Sequence, residues 1–292
     1  MESDRASRTA VLMCQGRAAA HGRIAEGRFA DPLAMTLLRD DERAVVERVR
    51  AGTPPKAWRE RIAFDMVRVV GADVAVSRTV AIDDAVRARP APQVVILGAG
   101  LDDRAWRMPE LTGVEVFEVD HPATQQDKRS RIADLQPLAN VRFVPVDFAR
   151  DRLDTALASA GHRDEAATTW IWEGVVPYLS RAEVAATVKA VAARSATGSQ
   201  LIVSYQSPAL SAVLGRLVER AIAAIARRSS LLADEPRRSA WTPDQMAELL
   251  AGHGYPVSRD DDLLTIAQSL GVPVRIRRSL RAGRIAIAVR SA

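Results

Sequence analysis

The middle of the chain alternates short apolar runs with amphipathic stretches. Residues 93–100, "QVVILGAG", form a continuous apolar run that ends in glycines, as is typical of a parallel strand buried on both faces. Similar runs follow at 113–120, 141–148, 168–174 and 199–205, and helical patterns lie between them at 102–110, 122–136, 150–160 and 180–195. This alternation predicts an α/β fold built on a doubly wound parallel sheet.

The segments on either side of this core have different patterns. Residues 1–89 are mostly helical in pattern. Residues 208–228 carry one apolar helical face, which predicts a helical insertion or lid over 206–240, or a helix packed against the core. Residues 241–292 contain a further helix and the closing strands. We therefore predict a single domain over residues 1–292, with its ligand-binding core at 90–205.

The C-terminal part carries clear helix and strand signals. In "WTPDQMAELLAGHG", Thr242 is the expected helix N-cap and Pro243 the first helical residue. The alternating run "RIAIAVR" (284–290) has no helix after it, so we expect an antiparallel strand added to the sheet. One more strand falls near 255–259 or near 272–278, and the pattern does not choose between them.

Composition and charge exclude several classes of protein. The 292 residues include one cysteine, Cys14, which rules out an intrachain disulfide and a thiolate metal cluster. The net charge of +5 comes from scattered arginines without interleaved aromatic residues, so no nucleic-acid interface is expected. The chain shows no membrane-length apolar run and no signal-peptide pattern. We therefore predict a cytoplasmic protein that binds neither nucleic acid nor membrane.

Acidic residues stand at the carboxyl ends of four predicted strands. They are Asp102, Asp120, Asp147 and Glu173. In an open α/β sheet, ligands bind beyond the carboxyl ends of the strands. Four acids there indicate a ligand rich in hydrogen-bond donors, or a metal. No metal is expected, because the histidines show no ligand spacing with these acids.

The loop after the first strand has a Gly-x-Gly turn formed by Gly98 and Gly100. A nicotinamide dinucleotide would need a third glycine where this chain has Asp103, and its pyrophosphate would meet Asp102 and Asp103. Asp120 does lie about 20 residues further on, as a dinucleotide's ribose contact would. An NAD(P)-dependent oxidoreductase of Rossmann type therefore stays open as an alternative.

S-adenosyl-L-methionine (SAM) fits the same residues better, because it has no phosphate and carries an ammonium and a sulfonium. Glycines at 98 and 100 let the backbone approach the ligand closely. Asp102 is then the expected acceptor from the ammonium, Asp120 from the ribose hydroxyls and Asp147 from the adenine amino group.

Ordered motifs in the chain resemble the leucine carboxyl methyltransferase family, and most closely its bacterial branch of SAM-dependent methyltransferases. The matching pieces are "FADPLA" (29–34), "SRTVAIDDAV" (77–86), "ILGAGLDDRAWRM" (96–108), "FEVDHPATQQDKRSRI" (117–132), "VPVDFARD" (144–151) and "WEGVVPYL" (172–179). The resemblance implies a Rossmann-like methyltransferase fold, a seven-stranded sheet whose last strand is antiparallel, with SAM as the cofactor.

The resemblance also implies a cofactor site, residue by residue. An arginine pairs with the cofactor carboxylate, a task suited to a planar bidentate donor. The matching positions are Arg78 for the carboxylate, Gly98 and Asp102 for the glycine loop, Asp120 for the ribose, Asp147 with Phe148 for the adenine, and Glu173 near the methionine moiety.

Some residues near these motifs have open or structural interpretations. Asp103 replaces the threonine that is more common in the family, and its role is open. Without the family resemblance, Arg78 could equally pair with Asp83 on the protein surface. Glu118 and Tyr178 are predicted to have structural and packing roles.

The resemblance implies methyl transfer to a carboxylate or hydroxyl of a small-molecule acceptor. A carboxylate is ionised at neutral pH and needs no general base, and the sequence identifies no catalytic residue. We expect the acceptor pocket to involve the N-terminal helices (1–80) and the 206–240 insertion. A SAM-binding protein without catalysis is a further alternative, and the oligomeric state is not predicted.

Overall fold

A mixed sheet forms the centre of the molecule. The computed structural model describes residues 7–148, 150–208 and 238–291. Within them the strands are β1 (Gln93–Leu97), β2 (Glu115–Asp120), β3 (Asn140–Pro145), β4 (Thr168–Trp172), β5 (Gln200–Gln206), β6 (Val257–Asp262) and β7 (Gly283–Val289). Their order is β3-β2-β1-β4-β5-β7-β6. Strands β1 to β5 pair in parallel, and β7 is antiparallel to β5 and β6. The predicted seven-stranded sheet with an antiparallel last strand is confirmed.

The strand left undecided by the sequence is β6, which starts inside the first candidate region, 255–259, and continues to Asp262. Three consecutive aspartates make this segment a poor buried strand, but among the described residues β6 pairs with β7 alone and is an edge strand. Arg284 of β7 donates from Nε to Asp260 Oδ1 at 2.9 Å. This cross-strand ion pair compensates one of the carboxylates.

Helices cover both faces of the sheet. The first 90 residues form α1 (Arg8–Ala20), α2 (Asp40–Ala51), α3 (Trp58–Met66), a π-helical stretch (Val67–Ala75) and α4 (Val76–Ala88). The following helices are α5 (Arg104–Arg107), α6 (Pro122–Arg131), α7 (Leu153–Ser159), α8 (Arg181–Ala193), α9 (Pro243–Ala251), α10 (Leu263–Ser269) and α11 (Arg277–Ala282), with 3-10 turns at Pro109–Leu111 and Val176–Tyr178.

The predicted helix boundaries agree at some ends and not at others. The Thr242 side chain accepts from Gln245 N and Pro243 is the first residue of α9, as predicted. The helix predicted over 102–110 is instead the single turn α5, because Pro109 starts a separate 3-10 turn. The helical insertion predicted over 206–240 falls mainly on residues 209–237, which lie outside the described residues.

The first strand shows why the sheet is stable. All five residues of β1 are buried, as its continuous apolar sequence predicts. Val94 and Ile96 belong to an apolar cluster shared with α1 and α4, whereas Val95 and Leu97 belong to a second cluster shared with α8. Alternate residues thus fill opposite faces, and both faces are covered.

The strand registers bring the predicted site residues together. Leu97, the last residue of β1, lies opposite Val119 of β2 and Trp172 of β4. The residues that follow these three positions are Gly98, Asp120 and Glu173, so they meet at one edge of the sheet.

Candidate cofactor site

A cavity of about 880 Å³ opens at the carboxyl ends of β1, β2 and β4. All of the site residues predicted from the sequence line it: Arg78, Gly98, Gly100, Asp102, Asp120, Asp147, Phe148 and Glu173. Residues of α1, of α8 and of the 3-10 turn Val176–Tyr178 complete its walls. A volume of this size is in the range of sites for cofactor-sized ligands.

The glycine loop after β1 needs its glycines for conformation and for space. Gly98 has φ +68° and Gly100 has φ +49°, in the left-handed region that side chains disfavour. A Cβ at Gly98 would lie 2.3 Å from Val175 Cγ2, and one at Gly100 would lie 3.0 Å from Ala10 Cβ of α1. Gly98 N also donates to Val119 O at 2.8 Å. The loop is therefore held tightly between β2, α1 and the chain after β4.

Asp120 is fixed at the tip of β2, next to this loop. Its Oδ2 accepts from Gly100 N at 2.6 Å, and its Oδ1 accepts from His121 N at 2.7 Å. Burial raises the pKa of the Asp120 carboxyl, while the two backbone N–H groups oppose that rise. The side chain of His121 caps α6 by accepting from Ala123 N at 3.3 Å. Asp120 thus presents a rigid carboxylate to the cavity.

The segment after β3 supplies a polar and an apolar group. Asp147 N donates to Asp151 Oδ2 at 2.8 Å, and the Asp147 carboxylate lies 3.7 Å from Arg150 Nε. Phe148 follows and is 37% exposed although it is a large apolar residue. An exposed ring on the cavity wall offers a surface on which a flat ligand group can stack.

Glu173, directly after β4, is held by two arginines. Arg78 Nε donates to its Oε1 at 2.6 Å, and Arg104 Nη1 donates to its Oε2 at 2.9 Å. Although burial would raise it, the pKa of Glu173 is lowered to about 2 by the charges of Arg78 and Arg104. The alternative pairing of Arg78 with Asp83 is wrong, because Asp83 binds Arg104 and Arg107 instead.

The predicted ammonium acceptor, Asp102, already faces a cation. Its Oδ1 accepts from Arg104 N at 2.8 Å, and its Oδ2 pairs with the Arg104 guanidinium. The backbone oxygen of Asp102 accepts from Lys128 Nζ at 2.5 Å. Lys128 also binds Glu118 Oε2 at 2.5 Å, so Glu118 sits in a buried ion pair.

Asp103, whose role the sequence left open, is buried and is not among the residues that line the cavity. Its Oδ1 accepts from Arg107 Nε at 2.8 Å, and its Oδ2 lies 3.7 Å from Arg17 Nη2. Burial and the neighbouring carboxylate of Asp31 raise its pKa to about 6. Asp103 therefore joins the glycine loop to a buried ion-pair network instead of facing the ligand.

From the sequence, the N-terminal helices are expected at the acceptor pocket, but no residue of α1 is predicted as part of the site. Ala10, Met13 and Arg17 line the cavity, and Arg17 donates from Nη2 to Leu101 O at 2.8 Å. Tyr178, predicted to be a packing residue, also lines the cavity, and its hydroxyl lies 3.3 Å from Thr9 Oγ1 of α1. Arg17 follows the apolar run at residues 10–14 of α1, and a charged residue close to such a run is a signal that could have indicated the contact of this helix with the glycine loop.

Two further searches cover the described residues, 7–148, 150–208 and 238–291. No group of three or more histidine, cysteine or acidic side chains there is arranged to hold a metal ion. No helix there combines the length and the apolar character that crossing a membrane requires.

Comparison with known proteins identifies relatives over most of the chain. The sequence model described as leucine carboxyl methyltransferase matches residues 10–192. A relative from Streptomyces coelicolor, named "Putative S-adenosyl-L-methionine-dependent methyltransferase", is 32% identical over 239 residues, which are 79% of this chain and 76% of that protein. A relative of the same description from Mycobacterium avium is 43% identical over 111 residues, which are 37% of this chain and 35% of that protein.

A solved structure supports the fold at much lower identity. A DUF574 family protein from Streptomyces avermitilis has a TM-score of 0.56 at 12% identity, over 98% of each chain.

Together, the sheet order, the cavity beyond the parallel strands and the relatives define the class as SAM-dependent methyltransferases, and the chain is an enzyme of this class. More narrowly, the chain belongs to the leucine carboxyl methyltransferase family. The resemblance predicted from the ordered motifs is confirmed.

Proposed function

We propose that the chain transfers the methyl group of SAM to a carboxylate or hydroxyl of a small-molecule acceptor. The observation that carries the proposal is the placement of Arg78, Asp120 and Glu173 around one glycine-lined cavity. Its cofactor is SAM. The proposal includes the contacts of the predicted residues with this cofactor and the identity of the acceptor.

The chemistry of the donor set fits the cofactor. The Asp120 carboxylate suits a ribose diol, and Asp147 with Phe148 offers an acceptor and a ring to an adenine. The Arg78 guanidinium suits the cofactor carboxylate, while Glu173 stays ionised beside it. The acids at the glycine loop would repel a pyrophosphate.

Methyl transfer from a sulfonium is an in-line displacement, so the protein mainly has to orient the acceptor against the methyl group. A carboxylate acceptor arrives ionised and needs no proton transfer at neutral pH. A hydroxyl acceptor must lose its proton, and the paired hydroxyls of Thr9 and Tyr178 are polar groups on the cavity wall beside which it could lie. The predicted cytoplasmic location stays a prediction.

Calorimetry with SAM, S-adenosylhomocysteine and NAD(P) tests the cofactor assignment. We expect binding of the first two and none of the nicotinamide cofactors. Binding of NAD(P) without SAM would overturn the proposal. Asp120→Ala serves as the site variant. It should weaken the binding of SAM and the binding of S-adenosylhomocysteine together, since both ligands contain the ribose.

Methyl transfer is tested with SAM labelled in the methyl group and a metabolite extract as the source of acceptors. Transfer of label from SAM to a compound of the extract shows catalysis. If SAM binds but no extract accepts label, the result would favour a SAM-binding protein without catalysis. A methyl ester releases labelled methanol in mild base, whereas a methyl ether keeps its label. The base treatment therefore separates carboxylate from hydroxyl acceptors.

A further inference from the structure

Arg104 lies directly behind the cavity and binds carboxylates from three parts of the chain. It is 2% exposed and is not among the residues that line the cavity. Its Nε donates to Asp83 Oδ1 of α4 at 2.7 Å, and its Nη1 donates to Glu173 Oε2 at 2.9 Å. The same Nη1 pairs with Asp102 of the glycine loop.

One nitrogen of Arg104 thus separates two carboxylates that both line the cavity. Carboxylates this close repel each other, and without the cation between them the ionised form of Glu173 is less favourable. Arg78 of α4 and Arg17 of α1 also lower the pKa of Glu173, while Asp83 lies on the far side of Arg104. Of these groups, Arg104 is the one that bonds to both Asp102 and Glu173.

We propose that Arg104 is a positioning residue of the cofactor site, which holds Asp102 and Glu173 in place where the amino-acid end of SAM binds. Arg104 acts through these two side chains and makes no contact with the ligand itself. The inference rests on the proposed cofactor contacts and adds to them a residue outside the cavity.

The test is the pH dependence of SAM affinity, measured by calorimetry from pH 5.5 to 7.5. This range lies below the pKa of an α-amino group, about 8, so the ligand keeps its ammonium. In Arg104→Gln, Glu173 loses one of the cations that lower its pKa and should take up a proton at the lower end of the range. Because SAM binding needs the ionised Glu173, the ratio of variant to wild-type Kd should fall as the pH rises. If one proton is involved, the steepest expected fall of this ratio is about tenfold per pH unit.

Arg107 provides a matched control on the same helix. Its side chain is as buried as that of Arg104, and its Nη1 binds Asp83 Oδ2 at 2.7 Å. Its acidic partners in the described part of the chain are Asp83, Asp31 and Asp103, and they include neither Asp102 nor Glu173. Arg107→Gln should change SAM affinity by a factor that is constant over the pH range. Arg104→Lys, which keeps a charge but not the planar fork, should restore part of the affinity and reduce the pH dependence.

The outcomes separate this inference from the proposed function. Failure of the wild type to bind SAM would overturn the proposed function. Binding by the wild type, with a pH-independent loss in Arg104→Gln like that in Arg107→Gln, would show that Arg104 is structural and overturn the inference. Circular dichroism monitors folding of the variants. If Arg104→Gln does not fold, Arg104→Lys provides the test, because a smaller pH dependence is expected of it. A ratio of Arg104→Lys to wild-type Kd that stays constant over the pH range would refute the positioning role.

Discussion

Replacing Gly98 by alanine should destabilise the chain by more than its backbone conformation alone explains. At φ +68°, an alanine pays about 1–2 kcal/mol for the left-handed conformation. Its Cβ would also stand 2.3 Å from Val175 Cγ2, well inside van der Waals contact. Relieving such an overlap costs about 1–3 kcal/mol, so we expect a loss of about 2–5 kcal/mol in the free energy of unfolding.

Two further variants separate these contributions. Gly113 has φ +73°, and a Cβ there would meet no heavy atom within 4 Å, so Gly113→Ala should lose about 1–2 kcal/mol for the conformation alone. Val175→Ala removes the clashing methyl group. The double variant Gly98→Ala with Val175→Ala should therefore show a favourable coupling free energy of about 1–3 kcal/mol.

The assay is denaturation by urea, followed by circular dichroism and extrapolated to water. Calorimetry with SAM runs in parallel. Gly98→Ala should lose affinity for SAM. Gly113→Ala should not, because Gly113 precedes the first residue of β2, at the end of the strands opposite to the cavity. Equal losses of stability for the two glycine variants, with no coupling to Val175, would refute the steric argument.

Three other perturbations probe single contacts. Asp120→Ala should weaken SAM binding by about 1–3 kcal/mol through a lost hydrogen bond to a charged group, and unchanged affinity in calorimetry would remove Asp120 from the site. Lys128→Met should cost about 3–5 kcal/mol because it leaves Glu118, which is fully buried, without its cation. Adding Glu118→Leu should recover most of this loss in urea denaturation, and a double variant as unstable as the single one would contradict the reasoning. The pKa of Asp103 in the folded state is about 6 and lies above the ordinary 3.8. Between these two values the folded state therefore binds a proton that the unfolded state has lost. Wild-type stability relative to Asp103→Asn should therefore fall by up to about 3 kcal/mol as the pH rises from 4 to 6, and a pH-independent difference between their unfolding free energies would refute it.

The sheet and the ligand-facing residues could be predicted because their signals are local. A strand buried on both faces is apolar along most of its length, as β1 is from Val94 to Leu97. Parallel strands end at one edge of the sheet, so the residue after each strand lies at the same edge. For this reason Gly98, Asp120 and Glu173 could be placed together before their distances were known.

The groups behind the cavity could not be predicted in this way. Arg17, Arg104 and Arg107 look like surface residues in a chain rich in arginine, and their burial depends on carboxylates that are distant in sequence. Asp103 stayed unexplained for a related reason: besides its local partner Arg107, it faces Arg17 and Asp31, which come from the N-terminal part of the chain. The edge strand β6 was ambiguous because one of its aspartates, Asp260, is compensated from β7, which a single segment does not reveal.

The contact of α1 with the glycine loop makes the binding site depend on elements far apart in the chain. Ala10 lies against Gly100, and Arg17 is bonded to Leu101, so α1 forms one wall of the cavity. Docking of this helix and binding of the cofactor are consequently linked equilibria. Whatever free energy the ligand gains at that wall also holds the helix in place, and the bound protein is correspondingly more resistant to local opening of its N-terminal segment.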